Sequence, residues 1–210
     1  MTFYTSNKVT DTGRAKAVAE VLENTVPDSD FYILVVGAAL LAASGILLDS
    51  IPVLIASMVV APLMWPLLGL SLGIVSKDGR LVGRTLCMLV ASMAIALGVA
   101  ALGAWIAIKY FSWNIQGIFI SFSPNYFFDV FIALVSGAIA AYGLVRTKVG
   151  GAMTGIGIAV SLMPPLVATG VGIYASKILS HAAFTIFILN VAGIMLASAV
   201  TFALLKVKSK

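Results

Sequence analysis

The chain has 210 residues, of which 61% are hydrophobic and only 10% are charged. A soluble domain is about 25% charged because its surface must be hydrated, so this composition excludes a soluble enzyme, a disordered chain and a disulfide-built secreted domain. The formal net charge of +5 is interpreted through membrane orientation rather than nucleic-acid binding, because Lys and Arg set the orientation of membrane proteins. We therefore expect an integral membrane protein with the lipid bilayer as its partner and no nucleic-acid partner.

The first element is a polar N-terminal segment, residues 1–29. Within it, Val18, Val21 and Leu22 fall on one face of a predicted helix at 9–26, and Thr10 or Asp11 is suited to cap its start. Two interpretations stay open: an amphipathic helix that lies on the membrane or contacts a partner, and a short solvated helix before the first span. Because this polar segment precedes the first apolar run, no cleavable signal peptide is predicted.

Six apolar runs follow, each suited to a helix that crosses a bilayer core of about 30 Å. They lie at residues 31–48, 53–75, 85–108, 128–145, 152–175 and 182–205. Strands of a membrane barrel alternate apolar and polar residues, and these runs do not alternate. In lipid every backbone amide must bond internally, so we predict an all-α integral membrane protein with six transmembrane helices.

The basic residues divide unevenly between the two sides of this arrangement. Eleven of the thirteen Lys and Arg lie on the side of the termini, and only Lys109 and Lys177 lie on the other side. The positive-inside rule then places both termini in the cytoplasm. The predicted segments are a cytoplasmic N-terminal segment 1–29, a first three-helix repeat 30–108, an external connecting loop 109–127, a second three-helix repeat 128–205 and a basic cytoplasmic tail 206–210.

An ungapped shift of 99 residues relates the two three-helix units. It aligns Leu63-Met64-Trp65-Pro66-Leu67 with Leu162-Met163-Pro164-Pro165-Leu166 and Gly73 with Gly172, and it gives eleven identities in forty-five positions. An odd number of spans in each unit reverses the direction of the second unit. The sequence therefore predicts an inverted repeat, an architecture that recurs in transporters.

Prolines interrupt the second and fifth runs at matching places. A proline in a helix interior removes a backbone donor and costs about 3 kcal/mol, and paired interruptions in two repeats point to a transport site. Kinks that serve packing alone are the alternative. We predict that the second and fifth helices are broken and meet near the midplane. The predicted substrate-binding residues are Ser57, Pro62, Met64, Pro66, Ser161, Pro164, Pro165 and Asn190.

The sequence offers no pattern that favours catalysis. It has no zinc-ligand spacing and no nucleophile–base pair, so no catalytic residue, metal or cofactor is predicted and the chain is not expected to be an enzyme. No ionisable residue lies at mid-membrane depth, which disfavours a proton relay. A site built from backbone dipoles, hydroxyls and one amide suits a small ion or a neutral polar solute.

Two segments resemble those of a known family. They are Ala56-Ser57-Met58-Val59-Val60-Ala61-Pro62-Leu63-Met64-Trp65-Pro66-Leu67 and Gly157-Ile158-Ala159-Val160-Ser161-Leu162-Met163-Pro164-Pro165-Leu166. Both are similar to the proline segments of the prokaryotic uncharacterised hydrophobic-domain membrane family, domain of unknown function 389. The resemblance covers residues 30–175 and implies a prokaryotic inner-membrane location. It implies no substrate.

We expect a multi-pass inner-membrane protein that is a transporter or channel for a small solute or ion. The alternative is a non-transporting scaffold or accessory subunit, whose N-terminal segment and basic tail recruit a cytoplasmic partner. We also expect a homo-oligomer, with a dimer as the simplest form, because small residues allow close contact between helices. The small faces are Gly98 with Gly103, Gly69 with Gly73, and Gly137 with Ala141.

Overall fold

The structure is a computed structural model that describes residues 10–111, 125–146 and 151–209, without the side chains of 151–161. Its helices are α1 (Asp11–Asn24), α2 (Ser29–Leu47), α3 (Ile51–Val60), α4 (Met64–Ser76), α5 (Gly79–Phe111), α6 (Tyr126–Val145), α7 (Gly151–Ala175) and α8 (Lys177–Leu204). No strand occurs in these three ranges. The prediction of an all-helical protein is confirmed.

Four helices are long and apolar enough to cross a membrane: α2, α5, α6 and α8. Helices α3 and α4 meet the same requirement as a pair bent by 46°, which gives five candidate spans in the described part of the chain. Helix α7 has 25 residues, and its described apolar part is Leu162–Ala175. These apolar helices support the membrane class that the composition predicts, whereas the sixth span stays a prediction.

The predicted interruption of the second run lies between α3 and α4. Ala61, the residue before Pro62, leaves the helix with extended backbone at φ −67° and ψ 119°, as expected because a proline disfavours helical backbone in the preceding residue. Helix α4 then begins at Met64. Pro66 lies in the first turn of α4, where its missing N–H has no intrahelical partner to lose. Pro62 therefore breaks the span, and Pro66 is compatible with the restart of the helix.

The interruption predicted for the fifth run is absent, and this part of the prediction is wrong. Helix α7 is continuous and contains Pro164 and Pro165. The 99-residue shift places Ser161 opposite Pro62, so the fifth run lacks the proline at which α3 ends. Protein packs on every side of α7 beyond that point, since residues 162–172 are all buried. This enclosure holds the helix together despite the two lost donors.

The interior of the bundle is formed by α4 and the second half of α7. Every residue of 64–73 except Trp65 is buried, as is every residue of 162–172. A helix that is apolar on all sides is buried on all sides. Both helices pack against α5 and α8, and α7 also contacts α3 and α4. Helix α4 and the second half of α7 are therefore central, and the other helices surround them.

Helix α1 packs against one end of the bundle. Its predicted cap is confirmed, since the backbone N of Gly13 donates to Thr10 Oγ1 at 3.2 Å, and its buried face packs on α4 and α6. Arg14 Nε donates to the Leu205 carbonyl at the end of α8, at 2.9 Å. Arg84 Nη2, at the start of α5, donates to Thr25 Oγ1 at 3.0 Å. Helix α1 thus joins segments from both halves of the chain.

Most described cations lie at the α1 end. They are Arg14, Lys16, Lys77, Arg80, Arg84, Arg146, Lys206 and Lys208. Lys109, at the end of α5, and Lys177, at the start of α8, lie at the opposite end. We call these the basic end and the distal end of the bundle. The uneven division of charge predicted along the sequence is thus a division between two ends in space.

Candidate functional site

The candidate site is the buried region in which the α3–α4 turn faces α7. Met64 is 7% exposed, Pro66 is buried and Pro62 is partly exposed. Ser57 is fully buried, and its Oγ donates to the Leu54 carbonyl of the same helix at 2.6 Å. Its hydroxyl is therefore bonded within α3.

On α7, the predicted residues Pro164 and Pro165 are both buried. The Pro165 carbonyl accepts a hydrogen bond from Thr169 Oγ1 at 2.8 Å. The side chain of Ser161 lies outside the described residues. Because α7 contacts both α3 and α4, the second and fifth runs are neighbours, with the prolines packed in the interior.

Asn190, the remaining predicted residue, lies on α8 and is 3% exposed. Its helix packs against α4, α6 and α7. A buried amide costs about 1–3 kcal/mol when it is left without hydrogen bonds. Asn190 therefore places an amide that requires hydrogen-bond partners in the same bundle interior as the prolines.

A contact between two buried serines was missed by the sequence reasoning. Ser71 on α4 and Ser198 on α8 are both fully buried, and their Oγ atoms lie 2.9 Å apart. Ser198 Oγ also lies 2.5 Å from the Ile194 carbonyl. The available signal was a hydroxyl in each of two strongly apolar runs. Pairing them required knowing that α4 packs on α8.

The position equivalent to Ser71 in the second unit is Gly170. A Cβ on Gly170 would lie 2.7 Å from Ala100 Cβ and 2.8 Å from the Leu97 carbonyl oxygen, both on α5. Ser71 faces α8 and Gly170 faces α5. Each of the two contacts therefore joins a helix from one half of the chain to a helix from the other half.

The turns that follow these spans are also alike. A Cβ on Gly73 would lie 2.8 Å from Val82 Cγ2, and one on Gly172 would lie 2.9 Å from Ser180 Cα. Glycine is required at both positions because the next helix starts against the backbone. The equivalent glycines, 99 residues apart, therefore close two tight hairpins.

Fixed charge in the site comes from the backbone. Helices α3 and α4 and residues 162–175 contain no Asp, Glu, Lys, Arg or His. Helix α4 begins at Met64 without a side-chain cap, and a helix N-terminus carries partial positive charge while a C-terminus carries partial negative charge. Within the residues that the structure describes, no three His, Cys, Asp or Glu side chains are grouped as a metal site requires.

Two clefts lie away from the prolines. One, of about 300 Å³, is lined by residues of α2 and α5 near the distal end, among them Leu40, Ser44 and Gly103. The other, of about 590 Å³, lies between α1 and the residues after α8. Neither borders a predicted site residue, and Met64, Pro66, Pro164 and Pro165 are themselves buried.

Comparisons with known proteins bear on the whole bundle. A model of the family described as Domain of unknown function (DUF389) matches residues 58–196, which include both proline pairs. Uncharacterized protein MJ0678 of Methanocaldococcus jannaschii is 28% identical over 195 residues, which are 90% of this chain and 59% of that protein. The chain thus spans 59% of the length of this curated relative. No solved structure matches this chain.

Proposed function

We propose that this chain, which belongs to the domain of unknown function 389 family, is a transporter or channel for a small solute or ion. The observation that carries the proposal is the central position of α4 and the second half of α7, with Pro66, Pro164 and Pro165 buried in them. Transporters place their sites at interrupted helices, and the α3–α4 span is interrupted at Pro62. Helix α7 is continuous, but it carries Pro164 and Pro165 in the buried region that faces this interruption. The α3–α4 turn, the prolines of α7 and Asn190 are the proposed binding region.

The proposed architecture is an inverted repeat of six spans, with α3 and α4 as one span and α7 as another. Support comes from the equivalent contacts of Ser71 and Gly170 and from the hairpins at Gly73 and Gly172. The opposite directions of α2 and α6, the first helices of the two proposed units, also support the inverted repeat. Helix α2 starts near the basic end, four residues after Thr25, whereas α6 finishes there at Val145.

We place the basic end in the cytoplasm and the protein in the prokaryotic inner membrane. The concentration of described cations at the α1 end supports this orientation under the positive-inside rule. In this arrangement the termini are cytoplasmic, residues 109–127 are external, and residues 30–108 and 128–205 are the two repeats. The prolines then lie between two aqueous sides.

Passage of a substrate requires the packed helices to separate. The units contact each other where α4 packs on α8 and where α7 packs on α2, α3, α4 and α5, and these surfaces part when one unit moves against the other. Helices α1 and α8 are joined by the Arg14–Leu205 hydrogen bond at the basic end. This bond would hold the cytoplasmic side closed. Helices α3 and α4 and residues 162–175 contain no Asp, Glu, Lys, Arg or His, and this composition favours small ions and neutral polar solutes as substrates.

The test is flux through proteoliposomes, measured with potassium, sodium and chloride gradients and by osmotic swelling in glycerol and urea. Pro165→Ala and Asn190→Leu should abolish whichever flux the natural chain shows while the folded protein persists. Pro52→Ala is the matched control, because Pro52 is exposed at the start of α3 and should leave flux intact. Flux that survives both site substitutions would contradict the proposed binding region and indicate that the prolines serve packing alone.

The scaffold alternative assigns α1 and the tail to a cytoplasmic partner. The inner face of α1 is already occupied, because Ala17 is 1% exposed and Val21 is fully buried against the bundle. Partner binding through that face would require α1 to detach. One stoichiometric partner in a pulldown, with no flux for any tested solute, would favour the scaffold over the transporter.

A further inference from the structure

The cleft between α1 and the C-terminal tail combines an apolar wall with a basic rim. Its volume is about 590 Å³, with Ala15, Val18, Ala19 and Leu22 on the wall and Asp11, Arg14, Lys206 and Lys208 on the rim. We propose that this cleft binds one anionic phospholipid, whose phosphate lies between the two lysines. This site is separate from the prolines and does not depend on the proposed transport function.

The positive charge of the rim comes from Lys206 and Lys208. Arg14 Nη1 lies 2.7 Å from Asp11 Oδ1, and Arg14 Nε donates to the Leu205 carbonyl, so this pair is nearly neutral and serves to link α1 to α8. Among the described residues, no carboxylate forms an ion pair with either lysine. Both lysines are exposed, and ammonium groups bind phosphate as point charges.

The backbone of the tail holds the two lysines in place. Lys206 has a φ of 55°, Val207 is fully buried, and the Val207 N–H donates to the Phe202 carbonyl at 2.9 Å. Further along, the Ser209 N–H donates to Ser76 Oγ at 2.7 Å. Because the tail is already ordered, a ligand that binds its lysines has less conformational entropy to remove.

The apolar surroundings favour a lipid over a soluble phosphate. On α8, Leu196, Val200 and Leu204 are 62%, 49% and 76% exposed at four-residue intervals, so an apolar stripe ends two residues before Lys206. An acyl chain along this stripe would place its phosphate at the level of the lysines. The wall formed by α1 would cover the glycerol region. A free phosphate would leave both apolar surfaces uncovered.

The test is native mass spectrometry of the full chain from phosphatidylcholine nanodiscs with and without phosphatidylglycerol. Lys206→Gln and Lys208→Gln should each lower retention of phosphatidylglycerol about fivefold, since one lysine near an anionic surface contributes about 1 kcal/mol. The matched control is Lys77→Gln with Arg80→Gln, which removes two exposed cations from the α4–α5 turn at the same end. The control should retain the lipid as the natural chain does.

A second variant separates the cleft from the tail. Ala19→Glu places a carboxylate on the exposed wall of α1, leaves the lysines in place and should also reduce retention. The proposal is overturned if the lysine variants or Ala19→Glu retain phosphatidylglycerol at the natural level, or if the control loses as much. It is also overturned if soluble glycerol phosphate displaces the lipid at equal concentration, because the apolar wall would then contribute nothing.

Discussion

The hydroxyl oxygens of Ser71 and Ser198 lie 2.9 Å apart in the buried contact between α4 and α8. These helices belong to different halves of the chain, so the pair is a polar contact across the boundary between the halves. In the equivalent contact of α7 with α5, Gly170 approaches Leu97 and Ala100 without a hydroxyl. One boundary contact therefore uses a hydrogen bond, and the other uses close packing.

Removing either hydroxyl should weaken the contact between α4 and α8 by a small but measurable amount. Ser71→Ala and Ser198→Ala should each lower the free energy of unfolding by about 0.6 kcal/mol, the average for hydrogen bonds between membrane helices. The double substitution should cost less than the sum of the two. Thermal unfolding in detergent or steric trapping in bicelles can measure this coupling. Ser92→Ala is the control, because Ser92 Oγ donates to Met88 of its own helix and should show no coupling with Ser71.

A methyl group on Gly137 should disrupt the contact between α6 and α8. Its Cβ would lie 2.8 Å from Ile194 Cα and 3.0 Å from the Ile194 carbonyl carbon, and such overpacking costs about 1–3 kcal/mol. Gly37→Ala is the matched control, since a Cβ on Gly37 would have no neighbour within 4 Å. Gly137→Ala should lower the melting temperature while Gly37→Ala leaves it unchanged or raises it. Equal melting temperatures would contradict the packing of α6 against α8.

The proposed orientation can be tested by labelling single cysteines in intact cells. The background is Cys87→Ser, because Cys87 is exposed. A membrane-impermeant maleimide should label Ser121→Cys, in the proposed external loop outside the described residues, and should fail to label Gly79→Cys at the start of α5. Permeabilised cells provide the control, because both cysteines should then react. The reverse pattern in intact cells would invert the proposed topology.

Self-association should involve the exposed face of α5. Of the predicted small faces, Gly69, Gly73 and Gly137 already contact neighbouring residues within the chain, whereas a Cβ on Gly98 would have no neighbour within 4 Å. Gly98→Cys, in the Cys87→Ser background, should form a disulfide-linked dimer in native-like lipid. Ile33→Cys is the control, at a site on α2 that is 66% exposed. Equal cross-linking at both sites would indicate random collision rather than a dimer.

The sequence predicted most of what depends on local chemistry. The apolar runs became helices, Thr10 capped α1, and the proline at position 62 ended α3, because each outcome depends on residues within one or two turns. The continuity of α7 was missed. The Leu-Met-x-Pro-Leu pattern is the same in both runs, and the decisive difference lies at the residue directly before it, where Ser161 replaces Pro62.

The candidate site was less predictable because its geometry depends on which helices are neighbours. Ser57 was predicted as a site residue because it lies near the prolines in the sequence, but its hydroxyl bonds within its own helix. Ser71 lies further along the same run and reaches another helix. Ser71 also bonds to the Leu67 carbonyl of its own helix, so spacing along one helix cannot distinguish the two serines. Only the packing of α8 against α4 gives Ser71 an interhelical partner as well.

Helices α3 and α4 are buried to different extents, so the two should differ in how readily they unfold locally. Ile51, Ile55 and Val59 of α3 are 68%, 52% and 60% exposed, and Ser57 is the one buried residue of that helix. Helix α4 is buried almost throughout. Segments with few buried contacts open by local unfolding, whereas core segments open only with the whole fold. In detergent, the amide hydrogens of α3 should therefore exchange with deuterium well before those of α4, with the boundary between fast and slow exchange at Pro62.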